Sequence, residues 1–162
     1  MDNYDIANNF FIKDYFNKPY KNVSFRDGDY YSYGTVIARK TKDLEGNNVL
    51  VVADRNLTMT TAKHRLQIMG AAGRHGFKIC FLPQNMWGSF DPFYTIGRIE
   101  ENLIYFANAK LTRKPNREGL IANYFALSKT LQLKEYEPYF ERINELLKQY
   151  KEVFEFAYNY KR

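Results

Sequence analysis

The sequence predicts an α+β protein: a small β-β-α-β sheet unit followed by a helical C-terminal half. Three observations predict it. Two β-rich runs, residues 30–39 and 49–53, flank a polar turn that contains Gly46. The chain then changes to helical period and returns as a third apolar run at residues 77–82. Beyond residue 95, three apolar stripes recur at helical spacing. The organisation reads as an N-terminal helical arm over 1–28, the β-β-α-β unit over 29–94 and a helical extension over 95–162. No Ser/Gly-rich linker separates these parts, so they are expected to share one core.

In the arm, Phe10-Phe11-Ile12 and Tyr15-Phe16 stand at helical spacing, and Pro19 predicts that the helix ends near Asn17-Lys18. Phe25-Arg26-Asp27-Gly28-Asp29 reads as a turn. Residues 30–39, rich in Tyr, Val and Ile, read as one strand, and 42–48 as the turn of a hairpin. The return strand, Val49-Leu50-Val51-Val52-Ala53, is apolar at every position, which predicts a central strand covered on both faces. Thr60 or Thr61 is placed to cap a helix running to about Gly73, with Ala62, Leu66, Met69 and Gly73 on one face. Gly73 and Gly76 bracket its end as a C-cap requires. The third strand stops at Pro83, and an aromatic loop over 83–94, Trp87 within it, is expected to pack over the core rather than to bind.

The helical half carries Ile96, Ile99, Leu103 and Phe106, then Leu120, Tyr124, Leu127 and Leu131, then Phe140, Ile143, Leu147, Tyr150, Phe154 and Ala157. These stripes read as core faces rather than cofactor boxes. The third is nearly heptad, so a homodimer through the 140–157 helix is an open reading.

A chain of 162 residues buries enough surface to fold without metal or disulfides. One cysteine, Cys80, forbids an intramolecular bridge; placed in an apolar strand, it is expected to be buried and inert. The first residues lack the basic and apolar regions of a signal peptide, and no run approaches ~18 apolar residues, so no membrane partner and a cytoplasmic location are expected. Aromatics reach 17%, with 14 Tyr and 13 Phe, and the net charge is +6. Surplus tyrosine can stack on bases or anchor a protein interface, and basicity calls for an acidic partner.

The charge map locates that partner. No acidic residue stands between Asp54 and Asp91, while Arg55, Lys63, Arg65, Arg74, Lys78 and both histidines, His64 and His75, lie between them. Thr60, Thr61, Lys63 and His64 fall at a helix start, where unpaired backbone N–H groups and the positive end of the dipole favour an anion. Arg74 and His75 lie at the other end of that helix, so the two basic clusters need not converge. Lys110, Arg113, Lys114 and Arg117 form a second cluster, placed in a loop by Pro115 and Asn116. The expected phosphate or nucleic-acid contacts are therefore Thr60, Thr61, Lys63, His64, Arg65, Arg74, Lys78, Lys110, Arg113, Lys114 and Arg117.

Catalysis is less strongly written. His64 is the one side chain fit for general acid–base work, beside Lys63, with Tyr31 or Tyr33 brought across by the hairpin. Asp54, His64 and Lys63 are the only triad the chain offers. Two histidines and one cysteine do not make a zinc site, and no glycine-rich phosphate loop or nucleophile elbow is present, so neither metal nor cofactor is expected.

Ser32-Tyr33-Gly34-Thr35-Val36-Ile37-Ala38 and Thr60-Thr61-Ala62-Lys63-His64 resemble a small uncharacterised domain of bacteriophage and bacterial proteins. Its pattern is a Ser-Tyr-x-Thr-x-Ile-Ala strand followed by a Thr-Thr-x-Lys-His helix start. The likeness covers roughly residues 29–82, and Asn56-Leu57-Thr58-Met59 departs from the Tyr-Ser expected before the threonines. It implies a phage-type protein of the host cytoplasm and a role for Thr60, Thr61, Lys63 and His64; it implies no activity. The expectation is an accessory protein that binds nucleic acid or another phosphate-bearing partner. The alternatives are a non-catalytic inhibitor of a host defence system, docking on a nucleic-acid-binding host protein, and a small metal-independent nuclease using His64.

Overall fold

The structure is a computed structural model that describes residues 2–13, 22–55, 57–84 and 90–161. The fold is α+β, with a five-stranded mixed sheet in the N-terminal half and a helical C-terminal half. The chain divides into two compact units, Met1–Phe90 and Asp91–Arg162, each described by itself.

Unit 1 opens with α1 (Asn3–Phe10), capped by Asp2 and Asp5 in a reciprocal capping box. Its end at Phe10 corrects the longer helix read from aromatic spacing; Tyr15, Phe16 and Pro19 lie outside the described residues. The segment read as a turn is strand, turn and strand. β1 (Val23–Arg26) and β2 (Asp29–Ser32) are joined at Asp27-Gly28, where φ is +52° and +85°. Two positive φ values in a two-residue loop are the geometry whose twist matches a hairpin. The run read as one strand breaks the same way at Tyr33-Gly34 (φ +51° and +79°), so that β3 (Thr35–Lys42) folds back on β2. Short polar–aromatic alternation hides such breaks, because Tyr is a strong β-former yet here occupies the turn.

β4 (Asn48–Ala53) pairs antiparallel with β3 across the expected turn, in which the Asp43 carboxylate accepts from the Glu45 and Asn47 backbone N–H groups. It is central, and both alternating sets of its side chains are buried. α2 (Met59–Arg74) is the crossover to β5 (Lys78–Leu82), which pairs parallel with β4. The sheet order is β1-β2-β3-β4-β5. The core gathers Ile6, Phe10, Val23, Phe25, Tyr30, Leu50, Val52, Ile68 and Ala72.

Three expectations about α2 and β5 change. The cap is Thr58, whose hydroxyl accepts from the Thr61 N–H, and Thr60 and Thr61 lie within the first turn. The buried face is His64, Gln67, Ile68, Ala71 and Ala72, while Leu66 is exposed, because two polar residues occupy the inward stripe and disguise it. Cys80 is only half-buried, since β5 lies at the sheet edge. The helix does end as expected: Gly76 takes φ +75°, the Gly76 N–H bonds the Gly73 carbonyl, and the Phe77 N–H bonds that of Ala72.

Unit 2 is three helices, α3 (Pro92–Ala107), α4 (Lys114–Thr130) and α5 (Phe140–Tyr158), with a 3-10 turn at Lys134–Tyr139. Ile96, Ile99, Leu103, Leu120, Leu127, Ile143, Leu146 and Tyr150 are buried. Of the near-heptad stripe of α5, Ile143, Tyr150 and Ala157 are buried within the unit, while Phe140, Leu147 and Phe154 are half-buried. Of the aromatic loop, Phe90 is buried and Phe93 and Tyr94 are exposed on α3; Trp87 lies outside the described residues.

Candidate functional site

The two motif segments meet. Tyr30 and Ser32 share one face of β2, two residues apart, and both turn toward the core. Tyr30 enters the aromatic cluster with Phe10, whereas Ser32 comes under the first turns of α2. There the Ser32 hydroxyl stands 2.7 Å from His64 Nδ1 and 3.2 Å from the Thr61 hydroxyl. Ser32 and His64 are almost wholly buried, at 2% and 3% exposure. Burial, and then the positive charge of Lys63, hold the imidazole below its ordinary value of 6.5. The neutral imidazole is thus the form favoured at pH 7.

Above this pair lies an open cleft of about 500 Å³, lined by Ser32, Tyr33, Thr35, Arg55, Leu57, Thr58, Thr60 and Thr61. Its position follows from topology. The carboxyl end of β4 runs into the amino end of α2, and the β2–β3 turn closes the side; in α/β units this end of a parallel strand is where ligands sit. Among the described residues, five aliphatic hydroxyls, one tyrosine and one guanidinium line it, and no carboxylate does. The first intrahelical bond of α2 runs from the Ala62 N–H to the Thr58 carbonyl, so the N–H groups of Met59 and Thr60 precede the ladder. The Tyr33 ring is 55% exposed and tilts over His64, with centroids 5.9 Å apart.

The other expected contacts are dispersed. Lys63 is exposed on the second turn of α2. Arg65 turns inward, its guanidinium donating to the carbonyls of Ala53 (2.8 Å) and Arg55 (3.1 Å), where it pins the β4–α2 connection. Arg74 donates to the Asn8 side chain, and Lys78 pairs with Asp43. At ~1.5 Å per residue, Arg74 stands ~21 Å along the helix from Thr60, and the two ends do not converge.

In unit 2, Pro115 and Asn116 lie in the first turn of α4 rather than in a loop, because proline suits the opening positions of a helix. Lys110 and Arg113 are exposed and Lys114 pairs with Glu118. Arg117 donates to the carbonyls of Leu111 and Thr112 and covers the Tyr160 ring at 4.0 Å. Among the described residues no cluster of His, Cys, Asp and Glu can hold a metal, and no acid contacts His64, so Asp54, His64 and Lys63 do not assemble as a triad.

The site thus keeps Thr60, Thr61 and His64, with Lys63 beside it, and adds Ser32, Tyr33, Thr35, Arg55 and Thr58. Ser32, Tyr33 and Thr35 stood in the segment that carries the resemblance, and Arg55 stood in the acid-free run; pairing them required the third dimension. No family model, curated protein or solved structure matches the chain.

Proposed function

We propose that the protein binds a phosphate-bearing partner, nucleic acid first among them, in the cleft at the amino end of α2. The observation that supports this most directly is the lining: hydroxyls, Arg55 and the start of a helix, without a carboxylate among the described residues. Phosphate oxygens accept from such donors, and the helix dipole adds attraction in a partly desolvated site. The exposed Tyr33 ring offers an unpaired base a face on which to stack. Arg65, Arg74, Lys78 and Arg117 already have partners within the protein, so Arg55 and Lys63 carry the charge in this reading.

Fluorescence anisotropy of labelled single-stranded and duplex DNA and RNA tests it, at low and moderate salt. The expected result is binding that weakens as salt rises, because phosphate contacts release counterions. Arg55→Ala with Lys63→Ala should weaken binding several-fold and lower the salt slope by up to ~2. Binding that ignores both salt and this double variant would remove the cleft from the account.

A further inference from the structure

Phosphate binding leaves the buried Ser32–His64 contact unused. A hydroxyl 2.7 Å from an imidazole nitrogen is at the separation of a nucleophile and its base, and Ser32, though only 2% exposed, is among the residues that line an open cleft. We propose that Ser32 and His64 are catalytic residues that hydrolyse a carboxylic ester, and that the ester is carried on a phosphate-bearing molecule. The second clause rests on the binding reading above; the first does not.

The choice of an acyl rather than a phosphoryl centre follows from there being one base. In-line displacement at phosphorus puts the attacking and leaving oxygens on opposite sides, beyond the reach of a single imidazole. A tetrahedral acyl intermediate holds both oxygens on one carbon, so one imidazole can serve each in turn. No carboxylate contacts His64 among the described residues, and burial beside Lys63 keeps the ring neutral, as a base must be.

Ser32 has one hydroxyl proton and two neighbours. In the structure Ser32 Oγ donates to the Thr61 hydroxyl across 3.2 Å; in the reactive arrangement its proton turns instead to His64 Nδ1, 2.7 Å away, and the Thr61 hydroxyl becomes free to donate to Ser32 Oγ. Ser32 Oγ then bonds to the ester carbon as its proton passes to Nδ1. The carbon–oxygen bond to the alcohol breaks, and the alcohol leaves with the proton from Nδ1. Water attacks the acyl-serine with His64 again as base, releasing the acid and restoring the Ser32 hydroxyl. The sum is ester plus water giving acid plus alcohol, with no redox partner. Thr60, on the same wall, contributes a backbone N–H outside the helix ladder toward the developing oxyanion.

The test uses the whole native chain. A fluorophosphonate probe should label one serine, located at Ser32 by peptide mass spectrometry, and p-nitrophenyl acetate should be hydrolysed. Ser32→Ala should abolish labelling, His64→Ala should lower turnover by ~10²-fold or more, and inorganic phosphate should slow both. Absence of labelling and turnover in the native chain, or labelling at another serine, overturns the proposal whether or not the variants fold. Turnover indifferent to phosphate and to oligonucleotide overturns its second clause. Anisotropy, read separately on Ser32→Ala, distinguishes a failed dyad from a failed binding site.

Discussion

Tyr33 holds a conformation that its side chain disfavours, at the first central position of a two-residue turn where Asn or Asp is the usual occupant. The equivalent position of the β1–β2 turn is Asp27, in the same chain and the same geometry. A left-handed non-glycine residue costs about 1–2 kcal/mol, and a short polar side chain recovers part of that by bonding locally. Tyr33→Asn should therefore raise the unfolding free energy by about 1 kcal/mol in urea while weakening nucleic-acid binding. Unchanged affinity would show that the ring takes no part. His64 gives a second prediction. Its folded value lies below 6.5, so as pH falls the unfolded chain takes up the proton first. This contribution to stability is whole above pH 6.5 and is lost as pH falls from there toward the folded value. Urea titrations at about pH 7.5 and about pH 5.5 should show the loss, and His64→Gln, which can still bond Ser32 without titrating, should shrink it.

Among the elements, α4 shows how closely a pattern can be read and its packing missed. Gly119 lies in the interior of α4, where alanine is normally better by about 1 kcal/mol. Yet a Cβ there would overlap the Phe106 ring, whose three nearest atoms all fall under 3.0 Å. The glycine is a seat for that ring between α3 and α4. Gly119→Ala should destabilise the protein, with an overpacking cost of about 1–3 kcal/mol exceeding the propensity gain. In a Phe106→Ala background the same substitution should turn neutral or stabilising; thermal unfolding of the four variants reads the coupling. In α2 the hydroxyl that caps is that of Thr58, which accepts from the Thr61 N–H, while Thr60 and Thr61 lie within the first turn.

At the scale of the whole chain, 91–162 has a core of its own, built from Ile96, Ile99, Leu103, Leu120, Leu127, Ile143 and Leu146. Expressed alone, that unit should give a helical circular-dichroism spectrum and a cooperative melt. A gradual, non-cooperative loss of signal would show that it depends on unit 1. The chemistry proposed above belongs to unit 1 alone, because its residues come from β2, the β2–β3 turn, the β4–α2 connection and α2. No helix is long and apolar enough to cross a membrane among the described residues, which agrees with the absence of such a run in the sequence.

The sequence by itself determined the α+β class, the central all-apolar β4, the α2–β5 crossover with its glycine cap, and the three helical stripes. Each is a local signal: a period, a run, or a residue whose φ/ψ range forces a turn. It also marked Thr60, Thr61 and His64, because hydroxyls near a helix start have a recognisable spacing. Only the tertiary structure decided that Ser32 meets His64, that Tyr33 bends the hairpin instead of extending it, and that Arg65 spends its charge on backbone carbonyls. The first and last of these join residues 10 to 32 positions apart. No periodicity encodes such a distance, since it depends on which strand pairs with which and on the side chains that claim each buried donor first.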